Sequence, residues 1–176
     1  MPYYYPPYVS LCAPSDRAGW EGAGTHFSLQ REGQHYQFQV RDIDYPSASD
    51  AKRLRQDGTL WIELRGYSAP PGTMLYDPAG AIVEIDGQQV RAMPVVFEGN
   101  GAPERAVPTM PVDLARRGLP HEYVHGYYVG FKMALPGRHD SYQFLPGAIT
   151  LNGVATPLPR LRSCYTPARS GVSPLR

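Results

Sequence analysis

The chain has 176 residues, of which 42% are apolar, so it can form one hydrophobic core and is not disordered by composition. Its formal net charge is +1, so the chain does not have the excess of basic residues typical of a nucleic-acid-binding protein. No apolar run approaches the 18 residues of a membrane-spanning helix. Glycine (18 residues) and proline (19) disfavour long helices, whereas 13 tyrosines favour half-buried strands and binding surfaces.

The first 24 residues are rich in tyrosine, proline and glycine. Their prolines favour an extended, polyproline-like arm. Its Tyr3, Tyr4, Tyr5 and Tyr8 are a candidate binding surface. The favoured alternative for the arm itself is a segment that lies over the core and is held there by Cys12.

Two cysteines, Cys12 and Cys164, lie near opposite ends of the chain without any C-x-x-C motif, which excludes zinc ribbons and thioredoxin-type redox motifs. We predict a disulfide between them, because both lie in proline-rich segments that little else would hold in place. The alternative is two unrelated buried thiols.

The compartment follows from the cysteines more than from the N-terminal residues. The segment before Cys12 lacks the basic region and the continuous apolar stretch of a signal peptide, which fits a mature exported protein and a cytosolic protein equally well. The predicted disulfide favours a periplasmic or otherwise extracytoplasmic protein. The excess of arginine over lysine, fifteen to two, is typical of a GC-rich bacterial genome.

Alternating apolar residues predict a series of short strands. In chain order they cover residues 25–31, 35–41, 59–67, 82–85, 88–97, 121–135, 141–145, 148–151 and 154–161. Hairpin turns are predicted at Glu32-Gly33, Asp86-Gly87 and Asn152-Gly153. A short polar helix is predicted over residues 47–56, between a serine cap and Gly58, and one helical turn over residues 112–117.

This pattern predicts a mostly β chain folded as an antiparallel β-sandwich, immunoglobulin-like or related, with one or two short helices and a barrel as second choice. The predicted organisation is an arm (1–24), one β domain (25–165) and a flexible tail (166–176). The predicted core residues are Phe27, Leu29, Phe38, Val40, Leu60, Ile62, Leu64, Val83, Ile85, Val129, Phe131 and Met133.

A long Gly/Pro-rich loop, residues 99–120, exceeds the length at which structureless connections are common. Loops of this length are often functional, so its charged residues are a second candidate binding surface. They include Glu104, Arg105, Arg116 and Arg117. The alternative is a solvated linker.

One catalytic motif occurs, because His121, Glu122 and His125 match H-E-x-x-H. In zinc peptidases a helix places both histidines on one face, with the glutamate beside the metal-bound water. Here the apolar residues alternate from Tyr123 to Leu135, which indicates a strand, and a strand holds the two histidines about 13 Å apart. We therefore predict no metal, no cofactor and no catalytic residue.

The leading hypothesis is a non-enzymatic, exported bacterial β-sandwich that binds another protein, in one form a periplasmic inhibitor or immunity-type partner of a toxin. A zinc-dependent hydrolase that uses His121, Glu122 and His125 is the alternative. A carbohydrate-binding module, in which exposed tyrosine and tryptophan rings stack on sugar rings, is the third hypothesis. Trp20 or Trp61 in an exposed groove would favour it over a protein-binding module. No nucleic acid and no membrane span are expected.

Overall fold

We describe the fold from a computed structural model, which describes residues 2–5, 7–42, 58–115, 126–133 and 140–172. These residues contain many short strands and one 3-10 turn at Pro78–Gly80. The strands are β1 (Pro2–Tyr5), β2 (Tyr8–Asp16), β3 (Glu21–Ala23), β4 (His26–Arg31), β5 (Gln34–Asp42), β6 (Thr59–Ala69), β7 (Met74–Tyr76), β8 (Ile82–Ile85), β9 (Gln88–Arg91), β10 (Val96–Gly99), β11 (Arg105–Ala106), β12 (Val112–Asp113), β13 (Gly126–Lys132), β14 (Tyr142–Leu145), β15 (Ala148–Leu151), β16 (Val154–Pro157), β17 (Arg160–Thr166) and β18 (Arg169–Val172).

The described strands form an antiparallel sandwich. One layer is a seven-stranded sheet in the order β11-β10-β13-β6-β5-β4-β3. The facing layer consists of a five-stranded sheet, β2-β17-β14-β8-β9, and a four-stranded sheet, β12-β7-β15-β16. The sequence therefore predicted the class correctly, as a sandwich, while the immunoglobulin-like type remains a prediction.

A single main core fills the space between the two layers. Phe131 of β13 meets Phe144 of β14 edge to face, with ring centroids 6.0 Å apart, so the two layers are in direct aromatic contact. Trp20 packs against Phe38 and donates its indole N–H to the Pro157 carbonyl oxygen (2.9 Å), which ties the seven-stranded sheet to the four-stranded one. Of the predicted core residues, Leu29, Ile85 and Met133 are half-buried and the others are buried.

Tight turns set the register of three hairpins. Glu32-Gly33, Asp86-Gly87 and Asn152-Gly153 all have positive φ at both positions. Positive φ at both central residues is what a type I′ turn requires, and this turn matches the twist of the strands it joins. The three predicted hairpins are confirmed, pairing β4 with β5, β8 with β9 and β15 with β16.

Other local predictions differ from the structure or fall outside the residues that it describes. The helical turn predicted over residues 112–117 is wrong for Val112–Asp113, which is strand β12 and pairs with β7. Long-range pairing outweighs local helix propensity there. The predicted strands 88–97 and 154–161 are each divided into two strands. The predicted helix at residues 47–56 lies outside the described residues.

The chain segments nearest the ends are also strands where the structure describes them. The predicted polyproline-like arm contains β1, β2 and β3, and the predicted tail contains β18. Backbone pairing explains why these segments are strands, because β2 pairs with β17 and β1 pairs with β18. The domain bounds 1–24, 25–165 and 166–176 remain a prediction. In the part of the chain that is described, no helix is long and apolar enough to cross a membrane.

Candidate functional site

The arm tyrosines lie on a two-stranded ribbon formed by β1 and β18, which we name the tyrosine ribbon. Its antiparallel register places Tyr3 opposite Gly171 and Tyr5 opposite Arg169. None of the residues of β1 is buried, and Tyr3, Tyr4 and Tyr5 are 44%, 67% and 51% exposed. Side chains alternate along a strand, so Tyr3 and Tyr5 share one face and Tyr4 lies on the other.

Gly171 leaves space for the Tyr3 ring on one face of the ribbon. A Cβ atom at this position would lie 2.6 Å from the Tyr3 hydroxyl oxygen, so a side chain there would displace the exposed Tyr3 ring from its position across the neighbouring strand. The Tyr3 and Tyr5 rings are neighbours, with centroids 5.5 Å apart. An aromatic ring over a cross-strand glycine is a known way to stabilise a ribbon edge.

A disulfide fixes the base of this ribbon. Cys12 and Cys164 are bonded, with Cα atoms 5.7 Å apart, which confirms the predicted pair. They join β2 to β17, the strands that continue into β1 and β18, and Tyr8 pairs with Thr166 above the bridge. Tyr8 is half-buried and Tyr165 is 47% exposed, so the exposed aromatic surface begins next to the disulfide.

The second predicted surface, the loop at residues 99–120, is partly built into the sheet. Arg105 belongs to β11, pairs with β10 and forms an ion pair with Glu98 (2.5 Å). Glu104 is exposed, and its backbone N–H donates to the Glu98 carbonyl oxygen (3.0 Å). Arg116 and Arg117 lie outside the described residues. Arg105, the described arginine of this loop, therefore already has a partner within the chain.

A charged cluster with a buried glutamate at its centre lies on the outer face of the seven-stranded sheet. Glu63 is 2% exposed, and its carboxylate accepts from the Tyr128 hydroxyl (2.5 Å) and from Arg41 Nη2 (3.2 Å). Arg65 Nε lies 2.7 Å from the other carboxylate oxygen as an ion-pair contact. The cluster of Glu63, Arg41 and Arg65 thus carries one net positive charge.

Gly126 makes room for this carboxylate. A Cβ atom there would lie 2.7 Å from Glu63 Cδ, so a side chain at position 126 would displace the cluster. Burial, with the hydrogen bond to Glu63 as the next cause, raises the pKa of the Tyr128 phenol above its usual range. Tyr128 therefore remains a hydrogen-bond donor throughout the physiological pH range.

Beside this cluster lies an open concavity of about 580 Å³, which we name the sheet cleft. Its lining includes the outward-facing side chains His26, Ser28, Gln37, Gln39, Arg65 and Tyr67. The ladder explains the grouping, because His26 pairs with Gln39, which pairs with Arg65, while Gln37 pairs with Tyr67. Tyr67 is 39% exposed, the Gln37 amide is hydrogen-bonded to His35 Nε2 (3.1 Å), and none of the described residues that line the cleft is acidic.

The residues of the H-E-x-x-H motif, His121, Glu122 and His125, lie outside the described residues. The strand that follows them is present as β13, with Tyr127, Val129 and Phe131 in the main core, as the alternation predicted. Among the described residues, no group of three or more His, Cys, Asp or Glu side chains is arranged to hold a metal ion.

The two tryptophans do not form a sugar platform. Trp20 and Trp61 are 2% and 9% exposed. Trp61 lies over Gly130, with its ring against Phe97, in a second apolar cluster on the outer face of the seven-stranded sheet. Neither tryptophan therefore lies in an exposed groove, the position that would have favoured carbohydrate binding.

Sequence reasoning missed the sheet cleft and the Glu63 cluster. A signal for half of the cleft was present, because the two-residue turn at Glu32-Gly33 fixes the β4–β5 register and thereby places His26 opposite Gln39. The contribution of β6 had no such local signal.

No family model, curated protein or solved structure matches this chain.

Proposed function

We propose that this chain is a non-enzymatic, exported module that binds another protein through its tyrosine ribbon. The observation that carries the proposal is the exposure of Tyr3, Tyr4 and Tyr5, 44–67% each, on a ribbon whose base is fixed by a disulfide. Tyrosine presents a large, rigid contact area with few rotatable bonds, and its hydroxyl remains able to hydrogen-bond.

The composition of the ribbon supports this proposal. The strands β1 (PYYY) and β18 (RSGV) contain tyrosine and arginine but no lysine, aspartate or glutamate. Tyrosine and arginine are enriched at the centres of protein interfaces, where lysine and the acidic residues are depleted. A ribbon of two strands is only marginally stable in water, so a partner that covers it stabilises both surfaces.

The disulfide supports the proposal in two ways. It favours an oxidising compartment, as expected of an exported protein. It also links β2 to β17, the strands that lead into the ribbon, which limits the separation of β1 and β18 before binding and so lowers the conformational entropy lost on association. The loop at residues 99–120 has less support as the binding surface, because Arg105 already pairs with Glu98.

The test is site-specific photo-crosslinking. Benzoylphenylalanine is placed at Tyr4 in one sample and at Val154, a 51% exposed residue of β16, in the matched control, and both are exposed to the extracytoplasmic fraction of the source organism. We expect one protein to be crosslinked from position 4 and not from position 154. Crosslinking from position 154 alone, or from neither position, would contradict the proposal.

The identified partner then allows an energetic test. Burial of the exposed two thirds of the Tyr4 side chain removes roughly 130 Å² from water. At about 25 cal/mol per Å² this area corresponds to about 3 kcal/mol, and because alanine keeps the Cβ atom, Tyr4→Ala should weaken binding by up to about 3 kcal/mol, or up to roughly 150-fold in Kd. Calorimetric titration measures this change, with Val154→Ala as the control of unchanged affinity. Equal affinities of Tyr4→Ala and the wild type would refute the role of the ribbon.

A further inference from the structure

We propose that the sheet cleft is a second binding site, separate from the tyrosine ribbon, and that its ligand is a saccharide carrying a carboxylate group. The cleft has about 580 Å³, within the usual 300–1,000 Å³ of small-ligand sites. It lies on the outer face of the seven-stranded sheet, whereas the ribbon continues the five-stranded sheet of the other layer.

The polar side chains among the lining residues suit a ligand with hydroxyl groups. Gln37, Gln39 and Ser28 each carry groups that both donate and accept hydrogen bonds. A hydroxyl group needs both functions in its partners, whereas a phosphate group needs donors alone. The Gln37 amide is also oriented in advance by its hydrogen bond to His35.

The aromatic residue of the cleft supplies the apolar contact. Tyr67 is 39% exposed, while Phe27 and Phe38, whose strands form the floor, are buried in the main core. One aromatic ring beside amide and hydroxyl groups suits the C–H face of a pyranose ring, which packs on the tyrosine while the hydroxyls at its rim meet the polar side chains.

Charge complementarity selects an acidic saccharide over a neutral one. Arg65 lines the cleft, and its Nε lies 2.7 Å from the buried Glu63 carboxylate as an ion-pair contact, which keeps the guanidinium beside the cleft. Because Arg41 also contacts Glu63, the cluster keeps one net positive charge beside a described lining without acidic groups. The planar guanidinium group matches the two-oxygen geometry of a carboxylate.

The experiment compares acidic saccharides with their neutral counterparts by calorimetry. The panel pairs tetragalacturonate with its methyl ester, sialyllactose with lactose, and an N-acetylmuramic acid disaccharide with N-acetylchitobiose. We expect at least one acidic member to bind with a Kd of about 1 mM or tighter, and its neutral counterpart about tenfold more weakly. Absence of binding by every acidic member, or equal binding of the neutral counterpart, would overturn the proposal.

Variants assign the binding to this cleft. Tyr67→Ala and Gln37→Ala should each weaken the acidic saccharide about tenfold, whereas Tyr67→Phe, which keeps the ring, should retain affinity. Arg65→Lys, which keeps the charge but loses the planar fork, should reduce the preference for the acidic member. Thermal unfolding of each variant shows whether it is folded.

Two controls distinguish a saccharide site in the cleft from binding at the tyrosine ribbon and from general anion binding. Tyr4→Ala should leave saccharide binding unchanged, so failure at one site does not imply failure at the other. Inorganic phosphate and single-stranded oligothymidylate are the competing anions. Displacement of the saccharide by either at equal concentration would show a general anion site and overturn the assignment.

Discussion

Removal of the Phe131 ring tests the central feature of the fold, the contact between the two layers of the sandwich. Phe131 is fully buried on β13 and meets the Phe144 ring of the facing sheet edge to face at 6.0 Å. Phe131→Ala should destabilise the protein by about 3–5 kcal/mol, the usual cost of emptying a core aromatic site. Of this, about 0.5–1.5 kcal/mol comes from the aromatic pair itself.

The assay is urea unfolding at equilibrium, with the disulfide kept intact in every sample. Phe131→Ala, Phe144→Ala and the double variant form a double-mutant cycle, which isolates the coupling between the two rings. An unchanged m-value confirms that a shift in midpoint reports stability. Tyr4→Ala, which removes an exposed ring, is the matched control and should change the free energy of unfolding by less than about 0.5 kcal/mol.

A small effect of Phe131→Ala on the free energy of unfolding would refute this prediction. A loss below about 1 kcal/mol for Phe131→Ala would mean that this face of β13 does not point into the core, in conflict with the expected cost. Zero coupling in the cycle, with large single effects, would mean that the two layers do not meet at these rings.

Two further predictions concern the disulfide and alkaline pH. Replacement of both Cys12 and Cys164 by alanine removes a link across 152 residues and should lower the free energy of unfolding in urea by up to about 4–5 kcal/mol; a change under about 1 kcal/mol would contradict this. Burial raises the pKa of the Tyr76 phenol above its usual value of 10.0, so the folded chain keeps a proton that the unfolded chain releases, and stability should fall as the pH rises above about 10. Tyr76→Phe should make this fall shallower in urea midpoints measured between pH 8 and 11, and an unchanged pH dependence would show that another group is responsible.

Local patterns in the sequence account for much of the fold. Alternation places Leu60, Ile62 and Leu64 on one face of β6, and all three are in the main core. The Asp86-Gly87 and Asn152-Gly153 turns bring two consecutive positive φ values, which fix their hairpins without help from the rest of the chain. Such features depend on neighbours in sequence, so they can be predicted from sequence alone.

Features that depend on distant segments could not be predicted in this way. Strand β2 contains Pro14 and alternates weakly, yet it becomes a strand because β17 supplies its partners from the other end of the chain. The alternation along β6 predicts that Glu63 faces solvent. Its carboxylate is nevertheless buried, because Tyr128 and Arg41 from two neighbouring strands contact it. The sheet cleft likewise combines three strands, and only its β4–β5 half follows from a local turn.

The pairing of β2 with β17 also sets the order in which this protein can be assembled. During synthesis Cys12 is made 152 residues before its partner, so β2 must remain unpaired while almost every other described strand is produced. Contacts over such separations form slowly, because the entropy of closing a long loop is lost before the contacts are gained. We therefore expect the disulfide to form after the sandwich has closed, so that the disappearance of free thiols during refolding marks the step at which β2 meets β17.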